Sequence, residues 1–307
     1  MNTVKPIYKN LVFEGGGVKG AAYAGSVQVL HDNDLLKNVE RVAGTSAGSI
    51  TAALLAVGAG SKGLTESVLD SNFHQFIYDP GWIFMDIYRL FFHYGIHSGN
   101  RFAKILKGYI KQYGGDPNLT FAQLEQKVKK EPHKFKHLSV VASNISTQNV
   151  DIFDSTRTPN IPIWQAVRCS MSIPVIFEPY VIKGNSYVDG GLGWVYPIDI
   201  YDQKKKDGED IRNPETLGFY LEPKIQIGHP GFAPLKVNIN SIKAMAEAMI
   251  GFLLNNANSK HIHSGDKSRT VFIDDLGISA TDFGISKADI ERLIKSGKTA
   301  TEKFLFS

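Results

Sequence analysis

The sequence predicts an α/β fold of three layers, α/β/α, around a mostly parallel central sheet. Three observations carry that prediction. Short apolar runs occur at residues 10–14 and in "VERVAGT". Each passes through a glycine-bearing turn, "EGGGVKG" or "GTSAGS", into a helix rich in small residues. The resulting strand–helix–strand–helix opening favours parallel strands with helices on the faces. At 307 residues, 43% hydrophobic and 21% charged, the chain can bury a large core without staples.

Element by element, residues 10–14 read as a buried strand and Val18 to Leu30 as a helix. A second strand leads to a helix over about Ala47 to Val57. "SGNRFAKILKGYIKQY" has the pattern of an amphipathic helix starting after Ser98. Thr120 and Gln123 have capping-box spacing, which starts a helix at Phe121. "HLSVVASNISTQNVDIFD" reads as two strands around a polar turn. A short helix, a loop broken by Pro174 and a strand ending at Asp189 follow. Residues 201–216 read as a charged, exposed loop, and two helices are expected near 241–256 and 287–305.

Composition excludes several classes. A net charge of +4 is too mild to argue for nucleic-acid binding. Cys169 is the single cysteine, so no internal disulfide forms, and it reads as a small buried residue. The first apolar run, Leu11 to Phe13, is too short for a signal-peptide core, and no run of about 18 apolar residues predicts a membrane span. A cytoplasmic location, or a peripheral one at a membrane, is expected, with export by a route lacking a cleaved signal left open.

Three consecutive glycines give up packing and backbone entropy, so something there requires bare backbone. Gly15, Gly17 and Gly20 match G-x-G-x-x-G, a dinucleotide pattern, but that reading also wants an acid ending the second strand. Glu40 precedes that strand instead. A nucleotide-binding or interaction module using the loop without catalysis is the alternative. In "AGTSAGS", Gly44, Ser46 and Gly48 form G-x-S-x-G between a strand and a helix, the context of a nucleophile elbow. The serine then sits at a helix N-terminus, where negative charge is favoured. Acyl cleavage passes through an oxyanion that needs backbone N–H donors, which a glycine turn can bring close. Ser46 follows a single strand and helix, too early for the usual α/β-hydrolase layout. None of the nine histidines sits in a telling motif, though the order Ser46, Asp189, His261 keeps a triad open. By itself Asp189 is also an ordinary Asp-Gly turn residue.

Together "EGGGVKG", "GTSAG" and "VDGG" resemble the patatin-like phospholipase family, over roughly residues 8–198. "SMSIPVIFEPY" is similar to the family's segment before the aspartate strand. The resemblance implies a serine–aspartate dyad working without histidine: Ser46 as nucleophile and Asp189 as base. It implies an oxyanion loop at Gly15, Gly16, Gly17 and Lys19, with Gly44 and Gly48 shaping the elbow. It implies a serine acyl hydrolase, of phospholipase A or lysophospholipase type, acting on phospholipid or lysophospholipid. No cofactor or metal is expected, and the need for an activator is left open. Lys19 stands where the family usually has arginine, Glu14 where aspartate is usual, and "LGWVYP" lacks the usual Asn before Pro. Thr45 differs from the histidine of related acyl-carrier-protein transacylases, which weighs against transfer to a carrier.

One unit is expected over residues 1–307, with the catalytic core at about 8–198 and a helical and loop portion at about 199–307. Residues 73–94 hold nine aromatics in 22 positions. Trp82, Phe84, Phe91 and Phe92 suit either a lipid-facing lid or a buried helix pair. "KVKKEPHKFKH" at 127–137 and Lys204 to Lys206 are basic clusters, suited to an anionic leaflet or to plain solvation.

Overall fold

A computed structural model describes residues 7–70, 94–204, 210–222 and 264–307, together with Lys224 and Ala248. The strands are β1 (Asn10–Phe13), β2 (Arg41–Thr45), β3 (Gly95–His97), β4 (His137–Asn144), β5 (Asn149–Phe153) and β6 (Val175–Phe177). They continue with β7 (Tyr180–Ile182), β8 (Asn185–Asp189), β9 (Gln203–Lys204), β10 (Asp210–Ile211), β11 (Thr216–Glu222) and β12 (Thr270–Asp274). The α-helices are α1 (Ala22–Asp32), α2 (Ala47–Ala56), α3 (Gly60–Leu69), α4 (Asn100–Gly114), α5 (Phe121–Lys130), α6 (Ile163–Ser170), α7 (Gly191–Trp194) and α8 (Lys287–Phe306).

The central sheet runs β12-β11-β1-β2-β4-β8-β7, with β5 also paired to β4. From β12 through β4 the pairing is parallel; β8, β7 and β5 join antiparallel. A mostly parallel sheet flanked by helices is thus what the opening motif predicted. Period-two alternation sorts each strand between two clusters. Leu11, Phe13, Val42, Phe219 and Leu221 join the large core with α1, α2 and α8. Val12, Ala43 and Tyr220 point the other way, onto Val195, Tyr196 and Ile198.

Local chemistry explains the helix boundaries. Thr120 and Gln123 close the expected capping box: Gln123 N–H donates to Thr120 Oγ1 at 3.2 Å, and Thr120 N–H to Gln123 Oε1 at 2.8 Å. The helix expected from Val18 opens as a 3-10 turn over Gly17–Ala21 before α1 begins, because the glycine loop tightens its first turn. Ser286 caps α8, whose buried Ile290 and Leu293 face the large core.

The segment after residue 198 is more than helix and loop. Leu217 pairs with Leu11, so β11 lies directly beside β1, and β12 extends the sheet beyond it. The apolar runs "TLGFYLE" and "TVFID" form these two strands, so the sheet continues past residue 198 into the portion expected as helix and loop. The charged stretch before them contains the β9–β10 ribbon. The aromatic-rich residues 73–93, Lys205, Lys206 and the helix expected near 241–256 lie outside the described residues, apart from Ala248. Among the described residues, no helix is long and apolar enough to cross a membrane.

Candidate active site

Ser46 sits between the last residue of β2 and the first of α2, with φ 51° and ψ −124°. Few non-glycine residues occupy this region, and a serine held there is a strained turn residue. The flanking glycines make the turn sterically feasible. A Cβ on Gly44 would lie 2.3 Å from the Gly48 carbonyl, and one on Gly48 would lie 2.3 Å from the Phe13 carbonyl oxygen. Neither position admits a side chain without backbone movement.

Hydrogen bonds hold the strain in place. Ser46 N–H donates to Ser170 Oγ at 2.8 Å, and the Ser170 hydroxyl donates to the Val141 carbonyl at 2.6 Å. Two residues on, the Ser172 carbonyl accepts from Asp189 N–H at 2.9 Å. The stretch Ser170–Ser172 therefore ties the serine turn and the aspartate strand to each other. Arg168, 1% exposed, backs the stretch: its guanidinium donates to Ser172 Oγ, the Ser98 carbonyl and the Glu178 carbonyl. Sequence reasoning missed these roles; the signal available was the run of small polar residues in "RCSMSIP". Cys169, inside this stretch, is fully buried as expected, and burial pushes its thiol pKa well up.

The structure brings Ser46 and Asp189 together although 143 positions separate them in the chain. Ser46 is 5% exposed and Asp189 2%. Burial pushes the Asp189 carboxyl up to about 6; the Ser46 hydroxyl and the Gly191 N–H, which both favour the charged form, only partly oppose it. Gly191 N–H reaches Oδ1 at 2.7 Å, whereas the buried Oδ2 completes no hydrogen bond with the described residues. The hydroxyl thus acts on the carboxyl from just beyond a closed hydrogen bond, an arrangement that commonly tightens when substrate binds. Among the described residues, no histidine acts on Asp189. His229, His261 and His263 lie outside the described residues.

The glycine loop lies against this pair. A Cβ on Gly15 would approach Ser46 Cβ to 3.2 Å. One expectation for the loop changes. Gly15 N–H donates to the Val195 carbonyl at 2.9 Å, so it is not free to meet an oxyanion. The Gly16 and Gly17 N–H groups have no partner among the described residues and remain available. Gly17 adopts φ 55°, and a Cβ there would overlap the Ala280 carbonyl oxygen at 1.9 Å. Lys19 is an anchor: its ammonium pairs with Asp275 Oδ2 at 2.9 Å. Glu14 reaches across to β11, where Leu221 N–H donates to its Oε2 at 2.6 Å. Trp194 and Val195, in the departing "LGWVYP", form the wall through their carbonyls, which accept Thr45 Oγ1–H at 2.9 Å and Gly15 N–H. Glu40 precedes β2 and is exposed, so it does not occupy the ribose-binding position of a dinucleotide site.

A strained serine at a strand-to-helix turn, a buried carboxyl and a bare-backbone loop thus meet around Ser46. The family model for Patatin-like phospholipase matches residues 11–201, and the chain belongs to that family. Protein R571 of Acanthamoeba polyphaga mimivirus is 31% identical over 195 residues, covering 63% of this chain and 61% of that protein. The probable lipid hydrolase 463L of Invertebrate iridescent virus 6 is 29% identical over 212 residues, covering 66% of this chain and 68% of its own. The crystal structure of VipD from Legionella pneumophila superposes with a TM-score of 0.65 at 20% identity, over 98% of this chain and 67% of that one. The chain thus spans about three fifths to two thirds of the length of these proteins, and the VipD likeness establishes the fold alone.

Proposed function

We propose that the protein is a lipid acyl hydrolase in which Ser46 attacks the ester carbonyl and Asp189 takes its proton. Gly16 and Gly17 N–H groups hold the oxyanion, Asp189 hands the proton to the departing alcohol as the ester C–O bond breaks, and water, losing its proton to Asp189, then frees the acyl chain from Ser46. The observation that carries the reading is the buried Asp189 carboxyl beside a strained Ser46, with its Oδ2 left to accept a proton. A weakly basic carboxylate becomes a better proton acceptor as its pKa rises toward neutrality. The relative described as a probable lipid hydrolase supports the substrate class.

Phospholipid or lysophospholipid is the substrate we assign, met at a membrane surface. Supporting this, a narrow apolar groove of about 70 Å³ starts at Gly17 and Ala47 and runs between α2, α3 and α4 past Leu54, Leu64, Phe102 and Leu106. Its lining suits an acyl chain better than a head group. A fluorophosphonate probe tests the reading. Labelling should occur at Ser46, vanish in Ser46→Ala, and be accompanied by loss of phospholipid hydrolysis by at least about a thousandfold in Asp189→Asn. An unlabelled wild type, or an Asp189→Asn variant with near-normal turnover, overturns it.

A further inference from the structure

The basic cluster at residues 127–137 is not used by the hydrolase site. Part of it lines a separate cavity of about 370 Å³ at the other end of the sheet. Lys136 immediately precedes β4, and Val42 lies at the start of β2, whereas Ser46 follows the end of β2. The ten residues of α2 span about 15 Å between the two ends. Leu36, Val39, Val42 and Leu55 give the cavity an apolar side. Lys37, Lys134, Lys136, His31 and His133 supply the polar side. Among the described residues Asp34 is the one carboxylate in the lining, and it pairs loosely with Lys37 at 3.6 Å.

Lys136 distinguishes this cavity from a solvated basic patch. It is 4% exposed, and its ammonium donates to the Pro132 and His133 carbonyls at 3.1 Å each. An ammonium has three donors, and the third has no acceptor among the described residues. No described carboxylate lies within 4 Å of it; Glu40 acts only from farther away. A buried cation with only a distant carboxylate among the described residues is unfavourable, and an anion in the adjoining cavity would relieve it.

We propose that this cavity binds a soluble phosphate monoester carrying a small apolar or aromatic group. The phosphate would meet Lys136, Lys134 and Lys37, and the organic group would lie on the side formed by Val42 and Leu55. The volume falls within the range of small-molecule sites. A free ligand is favoured over a bilayer headgroup by position. The serine opens at the opposite end of α2, so a membrane presenting substrate there does not face this cavity.

Calorimetry with AMP, phenyl phosphate and inorganic phosphate tests the proposal on the full chain. Lys37→Glu/Lys134→Glu is the comparison, because both side chains are exposed and neither belongs to the serine site. AMP and phenyl phosphate should bind saturably, more tightly than inorganic phosphate, with affinity falling at least tenfold in the variant. Ester turnover without ligand and binding to phosphatidate–phosphatidylcholine vesicles should not change in the variant. Absence of saturable binding by the wild type, equal binding by the variant, or vesicle binding lost with the variant overturns the proposal. Ser46 labelling reports separately on the hydrolase reading, so either can fail alone.

Discussion

Two buried charges sit in different parts of the molecule and are treated in opposite ways. Arg269, just before β12, has a side chain 6% exposed and meets Asp202 and Asp266, 3% and 2% exposed. Its guanidinium bonds both Asp202 oxygens at 2.6 Å and Asp266 Oδ1 at 2.7 Å. Burial works against that charge, but the two carboxylates more than offset it and hold the Arg269 pKa above its usual value. Asp189 is as deeply buried, yet among the described residues no cation acts on it and one oxygen completes no hydrogen bond. Desolvation penalises both charges; pairing compensates one and is withheld from the other. A carboxylate already satisfied by an arginine would be a poor proton acceptor, so the unfavourable arrangement is the one a catalytic base needs.

Breaking the compensated cluster should give the largest effect on stability. Arg269→Met leaves Asp202 buried without its cation and Asp266 with only Arg212 Nε, at 3.3 Å, and removal of one partner from a buried pair costs about 3–5 kcal/mol. A urea titration should show the midpoint falling accordingly. A loss below about 1 kcal/mol would mean that the carboxylates find water or other donors, and the contrast with Asp189 would lose its basis.

At Asp189 the same kind of change should work in the other direction. Its folded pKa, about 6, lies above the usual value of 3.8. A raised carboxyl pKa means the folded state holds its proton more tightly, so this contribution to stability is full below pH 3.8 and is lost as pH rises through 6. The shift corresponds to roughly 3 kcal/mol of penalty at neutral pH. Asp189→Asn should therefore be more stable than wild type at pH 7 by about 2–3 kcal/mol, with the gain disappearing near pH 4. In wild type, hydrolysis should rise with pH through about 6 and then level, because the base must be ionised. Melting curves of both proteins at the two pH values, with a pH–rate profile of the wild type, check the pair of expectations. A pH-independent stability difference would place the origin in packing and not in charge.

Much of the site was legible in the sequence because its chemistry leaves local marks. G-x-S-x-G constrains a turn within five residues, and Ser46 stands in that expected strand-to-helix turn, at φ 51°. Asp-Gly-Gly at the end of an apolar run likewise placed Asp189 at the end of β8. The non-local parts were hidden. Nothing in the glycine loop's own sequence says that Val195, 180 positions on, takes the Gly15 N–H. Ser170 acts by holding a backbone turn, which any small hydroxyl in a loop resembles until its partners are known. The strands β11 and β12 have apolar patterns, but the place of β11 beside β1, with β12 beyond it, is a tertiary fact that local periodicity does not contain.

Lys19 sharpens the comparison at its weakest point, because it is a buried-side pair serving the site's geometry. Its side chain is 18% exposed and that of Asp275 4%. Lys19→Met leaves Asp275 with the Gly277 N–H on Oδ1 at 2.9 Å but without a cation on Oδ2. The loop keeps two other ties, Gly15 N–H to Val195 and Val18 N–H to Ala280 at 3.0 Å. The Gly16 and Gly17 donors should therefore loosen without being lost, lowering kcat about tenfold with little change in KM. Lys19→Arg keeps the charge and should recover most of that loss, since arginine can still reach one carboxylate oxygen. Steady-state rates on a short-chain ester separate the two roles. A kcat fall rescued by arginine identifies an anchor that positions oxyanion donors; unchanged kcat with lowered thermal stability identifies an ion pair that holds only the fold.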